Sequence, residues 1–264
     1  MLMEVKKHIK IIFLSVKYNL MKRMLNKITF ITNILFMILN NATFIIQWLV
    51  LFNIKEEIGG YGFKEVILLW GVAAGAFGIA HIFFDGAFDM SRLIINGKLD
   101  TYLVQPKNVL ISVITSKSSV SAIGDLIYGY IILFIYGFTI PRFILFTFLI
   151  ILGGIVLTEV SVIMSSLCFW IVRGELLADN VNSVMTNFAT YPDTIFKNSV
   201  RLLLYTFIPV GISAYLPLKI MLEFNMLNVG IIIGMTILFG ILAFTLFNKG
   251  LKRYSSSNLM SSRI

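Results

Sequence analysis

Residues 28–52 carry no charged side chain, and this one stretch decides what kind of molecule the rest must be. It is long enough to cross a hydrocarbon core of about 30 Å. In lipid every backbone N–H and C=O has to be satisfied within the segment, so the stretch is a helix. Comparable apolar runs follow at 63–88, 113–138, 143–172 and 228–247. With 58% hydrophobic residues and a mean hydropathy of +0.90, the chain is predicted to be an all-α integral membrane protein. One cysteine, Cys168, and two histidines, His8 and His81, supply neither a disulfide framework nor a zinc cluster. The N-terminal segment is interrupted by lysines and lacks a small-residue cleavage site, so it is read as a helix of the protein rather than a cleavable signal.

The polar residues inside these runs are patterned. In the first, Thr29, Asn33, Asn40, Thr43 and Gln47 share one helical face. Amides in lipid are costly unless bonded, so this face is expected to meet protein or water, as glue between helices or as the lining of a path. In the second run Gly71, Ala74, Gly75 and Gly78 predict close helix packing, and His81 with Asp85 reads as a capping or interfacial pair near its inner end. The third holds Ser118, Ser121, Asp125 and Tyr128 on one stripe, with Asp125 expected near mid-membrane. The fourth holds Glu159 between Thr158 and Ser161, with Ser166 further on. An ionisable group at that depth costs at least about 2.5–3.5 kcal/mol, which leaves Asp125 and Glu159 as either buried structural groups or parts of a transport path. Residues 174–224 are broken by Pro192, Pro209 and Pro217, and one crossing plus a re-entrant or interfacial hairpin fits them. Either half is a candidate for the crossing. In the last run Gly230 and Gly234 predict a second close-packing face.

The net charge of +9 would suggest nucleic acid in a soluble protein, but its placement gives it another meaning. Residues 4–27 form a basic amphipathic segment, with Val5, Ile9, Ile12, Phe13, Val16, Leu20 and Met24 at helical spacing, and are expected to lie in the membrane interface. Seven Lys or Arg precede the first run, four fall between 89 and 117, and four lie in the tail 249–264. The segments 53–64 and 139–142 hold two and one. The positive-inside rule then puts both termini and residues 89–108 in the cytoplasm, with six crossings.

Residues 89–108, DMSRLIINGKLDTYLVQPKN, form a polar island between apolar runs. Gly97 separates two short amphipathic pieces, 91–95 and 98–104, and the second stops before Pro106. Leu99, Tyr102 and Leu103 fall at i, i+3 and i+4, one face of a short helix. Such a face either lies on lipid headgroups or docks a soluble partner. The chain has no phosphate-binding GxxxxGK[ST] loop, no HExxH and no GxSxG, so no catalytic constellation is expected. Neither a selectivity filter nor two related halves is visible. An ion- or proton-coupled carrier using Asp125 and Glu159 is the alternative to the reading that follows.

The island pattern Ile94, Gly97, Leu99, Asp100, Tyr102, Leu103 and Pro106 resembles the signature of a bacterial branch of the type-2 ABC exporter permeases. Tyr191-Pro192, the segment 201–204, Ile208-Pro209 and Tyr215-Leu216-Pro217 resemble that branch's second signature. The resemblance implies a six-helix permease subunit for efflux that pairs with a second copy or a paralogue in the bacterial plasma membrane. It also implies a cytoplasmic coupling helix, built from Gly97, Leu99, Tyr102, Leu103 and Pro106, docking on a separate ABC ATPase. ATP and magnesium would sit in that ATPase, and this chain would bind no cofactor or metal. The broken region around Pro192, Pro209 and Pro217 would fold back as an outer gate, and the N-terminal helix would be the interfacial connecting helix. Asn33, Asn40, Gln47, Asp125 and Glu159 are the candidate path residues from the polar stripes. The domain plan is thus an interfacial helix at 1–27, a transmembrane domain at 28–248 and a cytoplasmic tail at 249–264.

Overall fold

The computed structural model describes residues 2–171 and 173–255, with side chains from residue 8 onward. Residues 256–264 of the expected tail, and Val172 at the end of the fourth run, lie outside the described residues. Every regular element among the described residues is helical. Helix α1 spans Leu2–Met24 and α2 Lys27–Phe52, the latter started by Asn26, whose side chain accepts a hydrogen bond from Thr29 N at 3.2 Å. A loop containing Gly59 and Gly60, at φ +63° and +78°, leads to α3, Phe63–Phe83. These positive φ values explain a Gly-Gly turn where a side chain would be strained.

Helix α3 is the centre of the bundle. Over its most apolar window it is 72% buried, against 11% for α2 and 17% for the last helix. The small-residue spacing is the reason. Gly129 of α7, Ser121–Gly137, sits where an added Cβ would meet Gly71 O at 2.8 Å and Gly75 Cα at 3.2 Å. Gly75 faces Ile150 of α8, Ile140–Ser166, and Gly78 faces the Leu126 backbone. Backbone-on-backbone contact of this kind cannot yield by a rotamer change. Gly129→Ala is therefore expected to push α3 and α7 apart, costing about 1–3 kcal/mol, read as a lowered thermal midpoint of the detergent-solubilised chain. An unchanged midpoint would show that the crossing tolerates separation.

The third apolar run is not one helix. It divides into α6, Val109–Ile114, a non-helical stretch around Lys117, and α7. Ser118, Ser119 and Lys117 interrupt the helix, and Ser119 N instead donates to His81 O at 2.9 Å. The stripe Ser118–Ser121–Asp125–Tyr128 is thereby cut after its first member. Asp125 lies only one turn into α7, yet level with the middle of α2 through Asn41. The close-packing face expected at Gly230 and Gly234 is also corrected. In the last helix, α12, Met226–Leu251, both glycines have open space, and the tight contacts fall at Gly240, against Glu159, and Gly250, against Phe169.

Among the described residues four helices, α2, α3, the α8 run to Phe169 and α12, are long and apolar enough to cross a membrane, a bent pair at 198–206 and 211–222 would make a fifth if it is one span, and α7 is a shorter apolar helix. The broken region begins with α9, Gly174–Phe188, continues through α10, Asn198–Thr206, and ends with a π-helical turn, Gly211–Tyr215, leading into α11, Leu216–Leu222. The two halves of that last pair are bent by 84° at Pro209. Proline cannot donate the helical hydrogen bond, and Gly211 leaves room for the Tyr205 ring, which a Cβ would meet at 2.4 Å. The sequence-predicted break is thus present.

The two ends of the bundle differ in chemistry. At the basic end the island folds into α4, Met90–Ile95, and α5, Asp100–Leu103, over a core that includes Met90, Ile94, Val113, Phe169 and Phe247. At this end α1 also packs, through Val16 against Ile82 and Ala122. At the opposite end the loop before α3 meets the turn Asp193–Ile195.

Candidate functional site

Three features of the bundle bear on function: a cavity open on one side, a charged lock at the end opposite the basic one, and the island. The cavity, ≈ 310 Å³, lies between α2, α3, α7, α8, α9 and the π-helical turn, and opens outward past the exposed Asn40, Phe44, Thr186 and Tyr191. Asn40 and Asp125 both line it, so two of the five candidate path residues are brought together. Asp125 is held by Asn41, whose Nδ2 donates to its Oδ1 at 2.7 Å and also to Met37 O at 3.2 Å. Sequence reasoning passed over Asn41. The signal was present, because consecutive asparagines in a lipid-length helix face about 100° apart and one of them must turn inward. The aromatic wall is Phe44 stacked on Trp70 at 4.4 Å between centroids, with Phe77 and Tyr191 nearby.

The other candidates lie elsewhere. Asn33 and Gln47 are exposed along α2, on the same face as Asn40, Thr29 and Thr43, which are also exposed. Glu159 does not line the cavity. It lies between α8 and α12 against Gly240, with its Oε2 buried and unpartnered among the described residues. Asp125 and Glu159 therefore do not share one site. His81 Nδ1 meets Asp85 Oδ1 at 2.6 Å, with the ring between Phe77 and Phe88, so the two side chains expected to pair do so.

At the opposite end Asp193, 1% exposed, is the hub of a charged network. Its Oδ2 accepts from Lys219 Nζ and Tyr205 Oη and is ion-paired with Arg201 Nη2, each at 2.9 Å. Tyr61 Oη reaches its Oδ1 at 3.4 Å. Burial raises the Asp193 carboxyl, but the Lys219 hydrogen bond and charge, with Tyr205 and Arg201, outweigh it, and the group is held below its usual range. Burial and then the Asp193 charge push Tyr61 up to about 12. This network fastens both ends of the bent α10–α11 pair to one carboxylate, Arg201 lying early in α10 and Lys219 late in α11. The three prolines take different parts. Pro192 immediately precedes the hub, Pro209 is at the bend, and Pro217 opens α11.

The island is anchored at one edge and open at the other. Asp89 pairs with Lys117, and Arg92 reaches Asp89 at 3.4 Å and Asp179 of α9 at 3.5 Å. Gly97, at φ +65°, ends α4 in a left-handed cap, with Lys98 N donating to Leu93 O and Gly97 N to Ile94 O. The chain then turns Leu99 inward. Leu99 is fully buried in the core beneath the island, so the exposed ridge expected from Leu99, Tyr102 and Leu103 is corrected. The open apolar surface is instead Leu103, 43% exposed, and Val104, 84% exposed, with Tyr102 half-buried and Pro106 exposed. A three-residue pattern on so short a helix sets a shared face but not which side the protein occupies.

The family described as ABC-2 family transporter protein matches residues 35–258. No curated protein and no solved structure matches the chain.

Proposed function

The chain belongs to the ABC-2 transporter family, and from that premise we propose that it is the membrane-spanning permease subunit of an ATP-binding-cassette exporter. The observation that carries this is the extent of the family match, which takes in the island, the cavity and the bent helix pair alike. The partners in this reading are a cytoplasmic ABC ATPase, which binds ATP and magnesium, and a second copy or paralogue of the permease in a bacterial plasma membrane.

Six crossings with both termini cytoplasmic belong to the same proposal. Its support is the course of α9. Near its start Asp179 meets Arg92 of the island, and just past its end Tyr191 meets the Trp48 ring at 5.8 Å, close to the end of α2. We read α9 as the fifth crossing, with Ala178 and Met185 buried on its inner side and its exposed polar side chains Asn180, Ser183 and Asn187 suited to the second permease rather than to lipid. The pair α10–α11 then starts and finishes beside Asp193, as a hairpin dipping from the outer side must. The exposed polar face of α2 supports a second permease there, since amides facing lipid would go unsatisfied.

Purifying the tagged chain from its native membrane tests the proposal. An ABC ATPase should accompany it, and vanadate should block transport by the reconstituted assembly. Transport by the chain alone on a proton gradient, without ATP, would overturn it.

A further inference from the structure

The chemistry of the cavity specifies what it can hold. Among the described residues Asp125 is its only acid, and no Lys, Arg or His lines it. The carboxylate is 5% exposed, and while Asn41 satisfies Oδ1, Oδ2 is buried with no hydrogen-bond partner among the described residues. An unpaired buried carboxylate oxygen calls for a donor, and in a low-dielectric site for a positive one. The walls beside it are the stacked Phe44–Trp70 pair, Phe77 and Tyr191, whose ring faces attract cations and pack flat apolar bodies. The remaining polar groups, among them Asn40, Thr186 and Asn187, are neutral. An anion would meet Asp125 with no compensating cation, and a neutral apolar molecule would leave Oδ2 unpaired.

Building on the permease reading, we infer that this cavity receives an organic cation, a protonated amine on an apolar, ring-bearing body. The ammonium N–H bonds to the Asp125 carboxylate, whose side chain turns to present the buried Oδ2, and the rings lie along Phe44, Trp70 and Phe77. A volume of ≈ 310 Å³ suits a body of two fused rings with a short amine arm.

The test uses the full chain in phosphatidylcholine nanodiscs and two probes, 1-naphthylmethylamine, protonated at neutral pH, and its neutral counterpart 1-naphthylmethanol. Equilibrium dialysis, corrected with empty discs, should show the amine bound at least about tenfold more tightly than the alcohol. Asp125→Asn preserves the shape and the Asn41 contact and should abolish the difference. Ala73→Phe fills the cavity from α3 and should weaken both probes at least about fivefold. Equal binding of the two probes by the unaltered chain, a preference that survives Asp125→Asn, or no binding above empty discs would overturn the inference. Should Asp125→Asn fail to fold, Ala73→Phe decides, and amine binding indifferent to it would overturn the inference. No ATPase is needed for this measurement. Loss of the amine preference would leave the permease reading standing, and absence of an ATPase partner would leave the cavity's preference measurable.

Discussion

Replacing Asp193 by Asn is expected to lower the stability of the folded chain by about 2–3 kcal/mol and to release the bent α10–α11 hairpin. The carboxylate is the one anion in a cluster holding Arg201 and Lys219 at 2.9 Å each. Removing one partner of a buried ion pair costs roughly 3–5 kcal/mol, mainly because the other charge is left unpaired. Here the expected loss sits at or below the low end, since Arg201 and Lys219 are 37% and 31% exposed and water can take up part of their charge. The same lock should respond to acid. A carboxyl held low in the folded state stabilises fully above its unfolded value of about 3.9, and the contribution disappears as the pH falls through the folded value. Thermal midpoints should therefore drop for Asp193→Asn near neutral pH, and the gap between variant and unaltered chain should close below about pH 4. A gap that persists in acid would mean the loss comes from packing rather than charge.

The Asp193 lock illustrates what sequence pattern could not convey. Its partners are 8 residues away at Arg201, 26 at Lys219 and 132 at Tyr61, so the pairing exists only after the bundle has folded. An Arg and a Lys in otherwise apolar segments did signal that some acid must meet them, without saying which. Helix boundaries were far more legible. The loop between α2 and α3 falls where its polar and glycine residues put it, and Gly97 ends α4 because only glycine sits comfortably at φ +65°. The break before α7 was hidden because Val113 and Ile114 made the apolar run look continuous across the serines around Lys117. Within α2 the spacing of Asn33, Asn40 and Gln47 defined a shared face, but adjacent Asn41 carries the contact to Asp125. Periodicity identifies a stripe, and only the neighbouring helices decide which stripe is inside. The membrane class, the all-helical fold and the broken region followed from composition and proline placement, while the inward turn of Leu99 depended on a core assembled from four separate stretches of the chain.

The second large effect concerns the island. Leu103 and Val104 are its open apolar side chains, displayed at the basic end by an island that Asp89, Arg92 and the Gly97 cap hold in place. Burying a whole leucine side chain is worth roughly 1.5–3 kcal/mol, and Leu103, already partly covered, would gain somewhat less on docking. Leu103→Asp removes that gain and puts a carboxylate without a partner into the contact, for a total of at least about 2 kcal/mol, or roughly thirtyfold in affinity. Thr101 is exposed and its hydroxyl is already spent on Lys98 O at 2.9 Å, so Thr101→Ala should be nearly silent. Leu99→Asp should behave differently from Leu103→Asp. It places a charge inside the core beneath the island and should reduce the amount of folded chain before any partner is involved. We propose that the island hands work from a separate ATPase to the membrane helices, and retention of that ATPase on purified Leu103→Asp tests this coupling most directly. Normal insertion with the ATPase lost is expected. Stoichiometric retention with transport-coupled ATP hydrolysis would contradict it, and α5 would then be a helix resting on the lipid surface.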